Sequence, residues 1–282
     1  MTARQEKVMF GVMLAIFAGI LLVPASSLFA QNEIAIQNFV LNIEQQIPDL
    51  RDFSITDLFN FDDSEPVAAT VDLRPKCPPV FDQKTLGACS SMAGCAAFMM
   101  ASGVTWIPSR LFQYYNERLI EGDVSKDGGA QMRDIGKALS TYGVCPESFE
   151  PYVVGNFANQ PSAAAYSNAL NNKIKGYYSI STLQQIKQTL QTSQKPVLAY
   201  IKVYDNFEST GSDGMVAMPS GNFLGGHAVL VVGYSEAGQY LIVRNSWGVG
   251  WGKSGYCFIP YNFITQGYAS DFWYLDYNSA TT

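Results

Sequence analysis

Any imidazole chemistry in this chain of 282 residues falls to one side chain, His227, the single histidine present. It lies in the apolar run Gly225-Gly226-His227-Ala228-Val229-Leu230-Val231-Val232-Gly233-Tyr234. The stretch Ser235-Glu236-Ala237-Gly238 separates this from a second run, Gln239-Tyr240-Leu241-Ile242-Val243-Arg244-Asn245. Two apolar runs around a glycine-containing turn signal a β-hairpin. Paired residue numbers in an antiparallel hairpin share a constant total. A turn over residues 235–238 sets that total at 473, and His227 with Asn245 gives 472. The two are therefore expected as neighbours at one end of the hairpin. An asparagine there accepts from one ring N–H, fixes the tautomer and leaves the other nitrogen to face a nucleophile. That nucleophile must be a serine, threonine or cysteine. Cys89 follows Gly87-Ala88 and opens a predicted helix, where free N–H groups and the helix dipole favour a thiolate. Gln83, six residues upstream, offers a side-chain amide to an oxyanion together with the Cys89 backbone N–H. A lone histidine excludes metal sites built on two or more histidines, and no C-x-x-C pair supports a zinc site.

These residues need elements to hold them. Cys89–Ala101, small and apolar, reads as a buried helix. Ser109–Glu121 reads as a second, capped by Ser109 and stopped by Gly122. Met132–Tyr142 is a third, with Ile135, Ala138, Leu139 and Tyr142 on one face. Leu183, Ile186 and Leu190 mark a short helix ending before Pro196. Strands are expected at Val197–Val203, Ala228–Tyr234, Tyr240–Arg244 and Tyr256–Ile259. A helical first half and a strand-rich second half make an α+β chain with two lobes.

Three blocks stand in a telling order: Gln83-x5-Cys89, Gly-Gly-His227-Ala-Val, and Asn245-Ser-Trp247-Gly-Val-Gly-Trp251-Gly. Together they resemble the papain-like (C1) cysteine peptidases. Val71-Asp72-Leu73-Arg74-Pro75, Pro108-Ser109-Arg110-Leu111-Phe112, Tyr142-Gly143-Val144-Cys145-Pro146-Glu147 and Ala269-Ser270-Asp271-Phe272-Trp273 are similar to the short prokaryotic and viral members. The resemblance spans roughly Ile47 to Tyr277. It implies a papain-like two-lobed fold, a helical lobe beside an antiparallel barrel-like lobe. It also implies Cys89 as nucleophile, His227 as general base and acid, Asn245 as orienter and Gln83 in the oxyanion hole. A thiolate–imidazolium pair would attack a protein or peptide substrate without metal or organic cofactor. Trp247 would shield the His–Asn bond, and Gly128-Gly129 matches the glycine pair that lines one wall of the substrate cleft. The chain departs from the family at Lys84, where glycine is usual, and at Ser90, where an aromatic or threonine is usual. Cys95-Ala96-Ala97-Phe98 echoes the plant-type nucleophile block, but its glutamine position would fall on Cys89. Six residues along a helix turn Cys95 about 120° away from Cys89, so both cannot face His227. Of the other cysteines, Cys77 and Cys145 each precede proline in extended segments and are the preferred disulfide pair if one forms.

Arg4 and Lys7 precede an uncharged stretch from Val8 to Asn32, apolar over Val8–Ala30. This segment, residues 1–32, reads as a cleaved signal peptide or as a retained membrane anchor. Both readings export the rest of the chain, to be secreted or held on the non-cytoplasmic face. Residues 33–66 carry seven acids and one base between Glu44 and Glu65, mixed with Phe53, Leu58, Phe59 and Phe61. They read as an acidic, propeptide-like linker whose aromatics pack over the cleft or the lobe surface and modestly restrain activity. The catalytic domain is expected over 67–277, helical over about 80–175 and β-rich over about 176–277, with 278–282 as a tail. A net charge of −6 gives no basic field for nucleic acid. Charged residues at 15% and hydrophobic ones at 48% suit a packed fold and exclude a disordered one. The rival reading is a catalytically silent papain-fold protein, a binding or structural component of a virion or envelope. An inactive relative is expected to lose Cys, His or Asn, and all three are present.

Overall fold

Helix α1 (Cys89–Ser102) is buried continuously from Cys89 to Met99, as a helix that is apolar all round must be. In the computed structural model, which describes residues 39–62 and 64–277, it lies between two further helices and a sheet. Helix α2 (Arg110–Glu121) starts where Ser109 accepts from the Phe112 N–H and stops at Gly122. Helix α3 (Met132–Thr141) turns Met132, Ile135, Ala138 and Leu139 inward. Shorter helices follow as α4 (Ala163–Ala169), α5 (Leu183–Ser193), α6 (Asp205–Glu208) and α7 (Asn262–Thr265).

The strands are β1 (Thr70–Asp72), β2 (Gly176–Ile180), β3 (Val197–Tyr204), β4 (Phe223–Ser235), β5 (Tyr240–Arg244), β6 (Tyr256–Pro260) and β7 (Ala269–Asp276). Among the described residues they form one antiparallel sheet in the order β2-β7-β3-β4-β5-β6, with β1 on β4. The α+β architecture expected from the sequence is present, and its four expected strands are all found. β4 starts five residues earlier than the expected strand Ala228–Tyr234, because Phe223–Gly226 pair with Lys202–Tyr204 of β3. β1, β2 and β7 carried no clear local signal. Each is held by pairing with a remote segment, a tertiary effect that short strands depend on.

The β4–β5 hairpin forms with a register total of 474 at Leu230–Arg244, shifting to 475 beyond an irregularity between Val231 and Gly233. His227 itself pairs with Ile201 of β3, and Asn245 follows the last residue of β5.

The acidic segment ahead of Val67 is docked along the body. Ile43 and Ile55 are buried. Phe53 O accepts from the Ser179 N–H at 2.8 Å, and Asp52 takes two bonds from the Arg133 guanidinium at 2.7 and 2.6 Å. The apolar stretch Val8–Ala30 lies outside the described residues; among those described, no helix is long and apolar enough to cross a membrane. The Cys77–Cys145 disulfide is not formed, and all five cysteines are free thiols. Cys77 instead meets the Leu73 carbonyl and Met100 Sδ, so sharing a proline neighbour does not bring the two chains together.

Candidate active site

β4 and the end of β5 bring His227 and Asn245 together. His227 Nε2 lies 2.7 Å from Asn245 Oδ1, and the same Oδ1 accepts from the Ser246 backbone N–H at 2.7 Å. That backbone donor fixes which end of the amide is oxygen. An oxygen cannot donate, so Nε2 carries the ring proton and Nδ1 presents a bare lone pair. Nδ1 is buried and has no partner among the described residues. Trp247 lies 5.0 Å from the imidazole, ring to ring. Phe207 and Trp251 meet Trp247 edge-on, and His227 and Asn245 are both buried.

Cys89 is the first residue of α1. Ala88 precedes it without a capping side chain, so the N–H groups of the first turn are not taken by a cap. The thiol meets the backbone N–H of Ala228, the residue after His227. Burial pushes the Cys89 thiol up to about 12 and pulls His227 down to about 4, against the opposing effect of the Asn245 bond. Both shifts favour the neutral thiol–imidazole pair. The ionised pair expected from the sequence is thus disfavoured while this pocket is dry. Cys95 is also fully buried, and burial raises its thiol well above the ordinary value, with Arg110 opposing and Glu117, Glu147 and Cys145 adding to the rise.

Gln83 is carried by a short stretch that pairs with the residues after Asn245. Asp82 bridges Trp247, and the Gln83 N–H donates to Ser246 O at 2.9 Å. Its side chain is held at both ends: Ser246 Oγ donates to Oε1 at 2.7 Å, and Nε2 donates to Leu86 O at 3.1 Å. An amide nitrogen has two hydrogens, so one remains for a ligand. The Tyr152 hydroxyl donates to Gln83 O at 2.9 Å. Neither Ser246 nor Tyr152 was assigned a role from sequence. Ser246 lies inside the Asn-Ser-Trp block, so a signal existed; for Tyr152 there was none. Lys84, where the family usually has glycine, adopts a left-handed φ of 56°, a conformation glycine takes without the side-chain clash.

The departure at Ser90 also has a local cause. Ser90 Oγ donates to Glu117 Oε2 at 2.6 Å, and Gln113 Nε2 donates to Oε1 at 2.9 Å. Glu117 is fully buried, and desolvation raises its carboxyl from 4.5 to about 8. The unfolded chain releases this proton first, so stability is full below 4.5 and drains away as pH rises to about 8. The slope is about 1.4 kcal/mol per pH unit. Glu117→Gln is expected to flatten that slope and raise the unfolding midpoint at pH 8 relative to wild type, read by denaturant melts across pH. A parallel pair of pH profiles would refute the assignment.

Gly129 lies against the Asn42 backbone, and Gly225-Gly226 against Leu41 and Ile43, so residues 41–43 fill the gap between the two glycine pairs. Asn42 forms a parallel bridge with Gly226, and Asn42 Nδ2 donates to Asp127 O at 2.6 Å. A Cβ on Gly225 would come within 2.0 Å of Leu41 O, and one on Gly226 within 1.9 Å of Ile43 O. Only glycines let a second backbone lie this close to β4. Phe39 then stacks on Trp247, centroids 4.3 Å apart and planes 5° apart. Among the described residues no cluster of His, Cys, Asp and Glu could hold a metal ion.

A family model described as papain family cysteine protease matches residues 67–273. An uncharacterized peptidase C1-like protein of Acanthamoeba polyphaga mimivirus is 36% identical over 220 residues, 71% of this chain and 70% of that protein. Fruit bromelain of Ananas comosus is 29% identical over 184 residues, and the match spans 50% of its length. Among solved structures, xylellain, a cysteine protease from Xylella fastidiosa, superimposes with a TM-score of 0.78 at 32% identity. That match covers 86% of this chain and 98% of xylellain.

Proposed function

The chain belongs to the papain family of cysteine proteases, and from that premise we propose that Cys89 is its nucleophile, worked by His227. The observation that carries the proposal is the commitment of His227 Nε2 to Asn245, which leaves Nδ1 unpartnered, while the next residue, Ala228, meets the Cys89 thiol through its backbone. Nδ1 takes the thiol proton as sulfur attacks a peptide carbonyl carbon. The oxyanion is received by the Cys89 backbone N–H and the remaining Gln83 amide hydrogen. The C–N bond breaks, and the imidazolium returns its proton to the leaving amine. Water, deprotonated by His227, then hydrolyses the thioester. Gly128, Gly129 and Gly226 supply the backbone walls along which a substrate peptide lies, and Trp247 keeps the His–Asn bond dry. Residues 41–43 occupy the space between those walls, and the segment they belong to restrains the enzyme. The basic start and apolar stretch ahead of it support export, which the mass of the mature N-terminus checks.

An epoxide or vinyl-sulfone thiol probe tests the assignment between about pH 5 and 7. Wild type and Cys95→Ala should be labelled, and Cys89→Ala should not. A folded wild type that takes no label, with or without residues 39–66, would instead indicate a non-catalytic binding protein. Label lost only in Cys95→Ala would move the nucleophile.

A further inference from the structure

A carboxylate with no role so far ties the two sides of this site together. Asp127 immediately precedes the Gly128-Gly129 wall. Its Oδ1 and Oδ2 accept from the Gly87 N–H at 3.0 and 3.1 Å, two residues ahead of Cys89. Its Oδ1 also accepts from the Tyr114 hydroxyl. That hydroxyl, its single proton spent on Asp127, accepts in turn from the Gly129 N–H at 3.1 Å. The result is an unbroken relay: Gly129 N–H to Tyr114 Oη to the Asp127 carboxylate, which also receives Gly87 N–H. Tyr114 is fully buried on α2. Arg118, one turn further on, stacks 4.1 Å over its ring and donates to the carbonyls of Val124 and Lys126 at 2.7 and 3.0 Å. The loop that delivers Asp127 is therefore itself braced. At the opposite end of the relay, Ala88 gives α1 no side-chain cap.

We infer that Asp127 is a positioning residue for the peptidase reaction: through Gly87 it sets the direction of the Cys89 N–H and thiol, and through Tyr114 it holds the Gly129 wall at a fixed spacing from them. The inference rests on Cys89 being the nucleophile. A carboxylate suits the task better than an amide. It accepts from both donors at once and is charge-assisted in each bond. Asparagine has one acceptor oxygen and places an NH2 group against one of the two donors.

The test uses the full-length protein with peptide-substrate kinetics and amide hydrogen exchange on Asp127→Ala, Asp127→Asn and Tyr114→Phe. Asp127→Ala should lower kcat between about ten- and a hundredfold, the scale of a sub-ångström to one-ångström misplacement, with KM raised by a clearly smaller factor as the Gly129 wall loosens. Asp127→Asn should fall between it and wild type. Exchange should accelerate both at Gly87–Cys89 and at Gly128–Gly129 in Asp127→Ala, and Tyr114→Phe should accelerate Gly129. The double variant Asp127→Ala/Tyr114→Phe should be no worse than Asp127→Ala alone, since one relay is broken in each. A purely structural role would lower melting temperature without the kcat-against-KM split. Unchanged kcat in Asp127→Ala, or unchanged exchange at Gly129, overturns the inference while wild type stays active. If Asp127→Ala does not fold, Asp127→Asn and Tyr114→Phe decide by the same readouts. Absence of wild-type turnover and of Cys89 labelling would be a failure of the peptidase reading itself, and this inference would fall with it.

Discussion

His227→Ala is expected to abolish peptide hydrolysis, by at least about a thousandfold in kcat/KM, as is Cys89→Ala. No second histidine exists to substitute for the first. The loss should be chemical rather than structural. The Asn245 amide stays fixed by the Ser246 N–H, and β4 keeps its backbone pairing with β3 at Ile201. The pH dependence of stability separates the two effects. Burial lowers His227 from 6.5 to about 4, so the unfolded chain binds this proton at higher pH than the folded one. Wild type must therefore lose stability as pH falls from 6.5 towards 4, at about 1.4 kcal/mol per pH unit. His227→Ala removes that loss. Measured in matched melts, the variant should gain on wild type as the solution is acidified. Residual turnover near wild type in His227→Ala would overturn the base assignment. Collapse of the variant at pH 7 and a parallel pH profile would overturn the stability argument.

The second large effect should come from removing the segment ahead of Val67. Phe39 covers Trp247, Asn42 bridges Gly226, and Ile43 and Ile55 are buried in the body. Burial of such side chains is worth about 1.5–3 kcal/mol each. On the proposed reading, the segment is tethered in the same chain and competes with a substrate for the space beside Gly129 and Gly226. A protein beginning at Val67 should therefore hydrolyse peptides at least about tenfold faster than one beginning at Glu33. Asp52→Ala, which removes the segment's ion pair with Arg133, should give a smaller rise. Unmasking also admits water to the pair. The burial that pushes Cys89 up to about 12 and His227 down to about 4 is relieved in both directions, so both shifts shrink. Alkylation of Cys89 should extend to lower pH in the shorter protein. Its melting temperature should fall, because Ile55 no longer fills its place. Equal activity of the two proteins would remove the restraint from the account.

Much of the site was legible because its parts are local. The hairpin follows from two apolar runs and a turn, which is why His227 and Asn245 could be paired from numbering. Their register was off by one to two residues, since an irregularity near Val232 has no signature in the apolar pattern. The helix opening at Cys89 follows from its Gly-Ala approach and small residues, and the 120° offset of Cys95 follows from helix geometry. Less was legible where a contact joins distant segments through backbone groups. Tyr152 on Gln83 O, Asp127 on the Gly87 N–H and the pairing of Phe53 with Ser179 each end on a backbone group, so residue type does not advertise the partner. The Cys77–Cys145 pairing failed for the same reason: similar flanks do not say where two chains lie.

By itself the amino-acid sequence determined the chemistry on offer: one imidazole, one asparagine at matched register, a cysteine at a helix mouth and a glutamine before it. Side-chain identity and short-range spacing suffice for that. The tertiary structure alone decided the proton's place and the state of the cleft. Nε2 holds the ring proton because Asn245 Oδ1 is also claimed by a backbone N–H. The thiol and imidazole are driven towards neutrality because both are fully buried. Desolvation depends on what is packed in three dimensions, and no spacing along the chain encodes it.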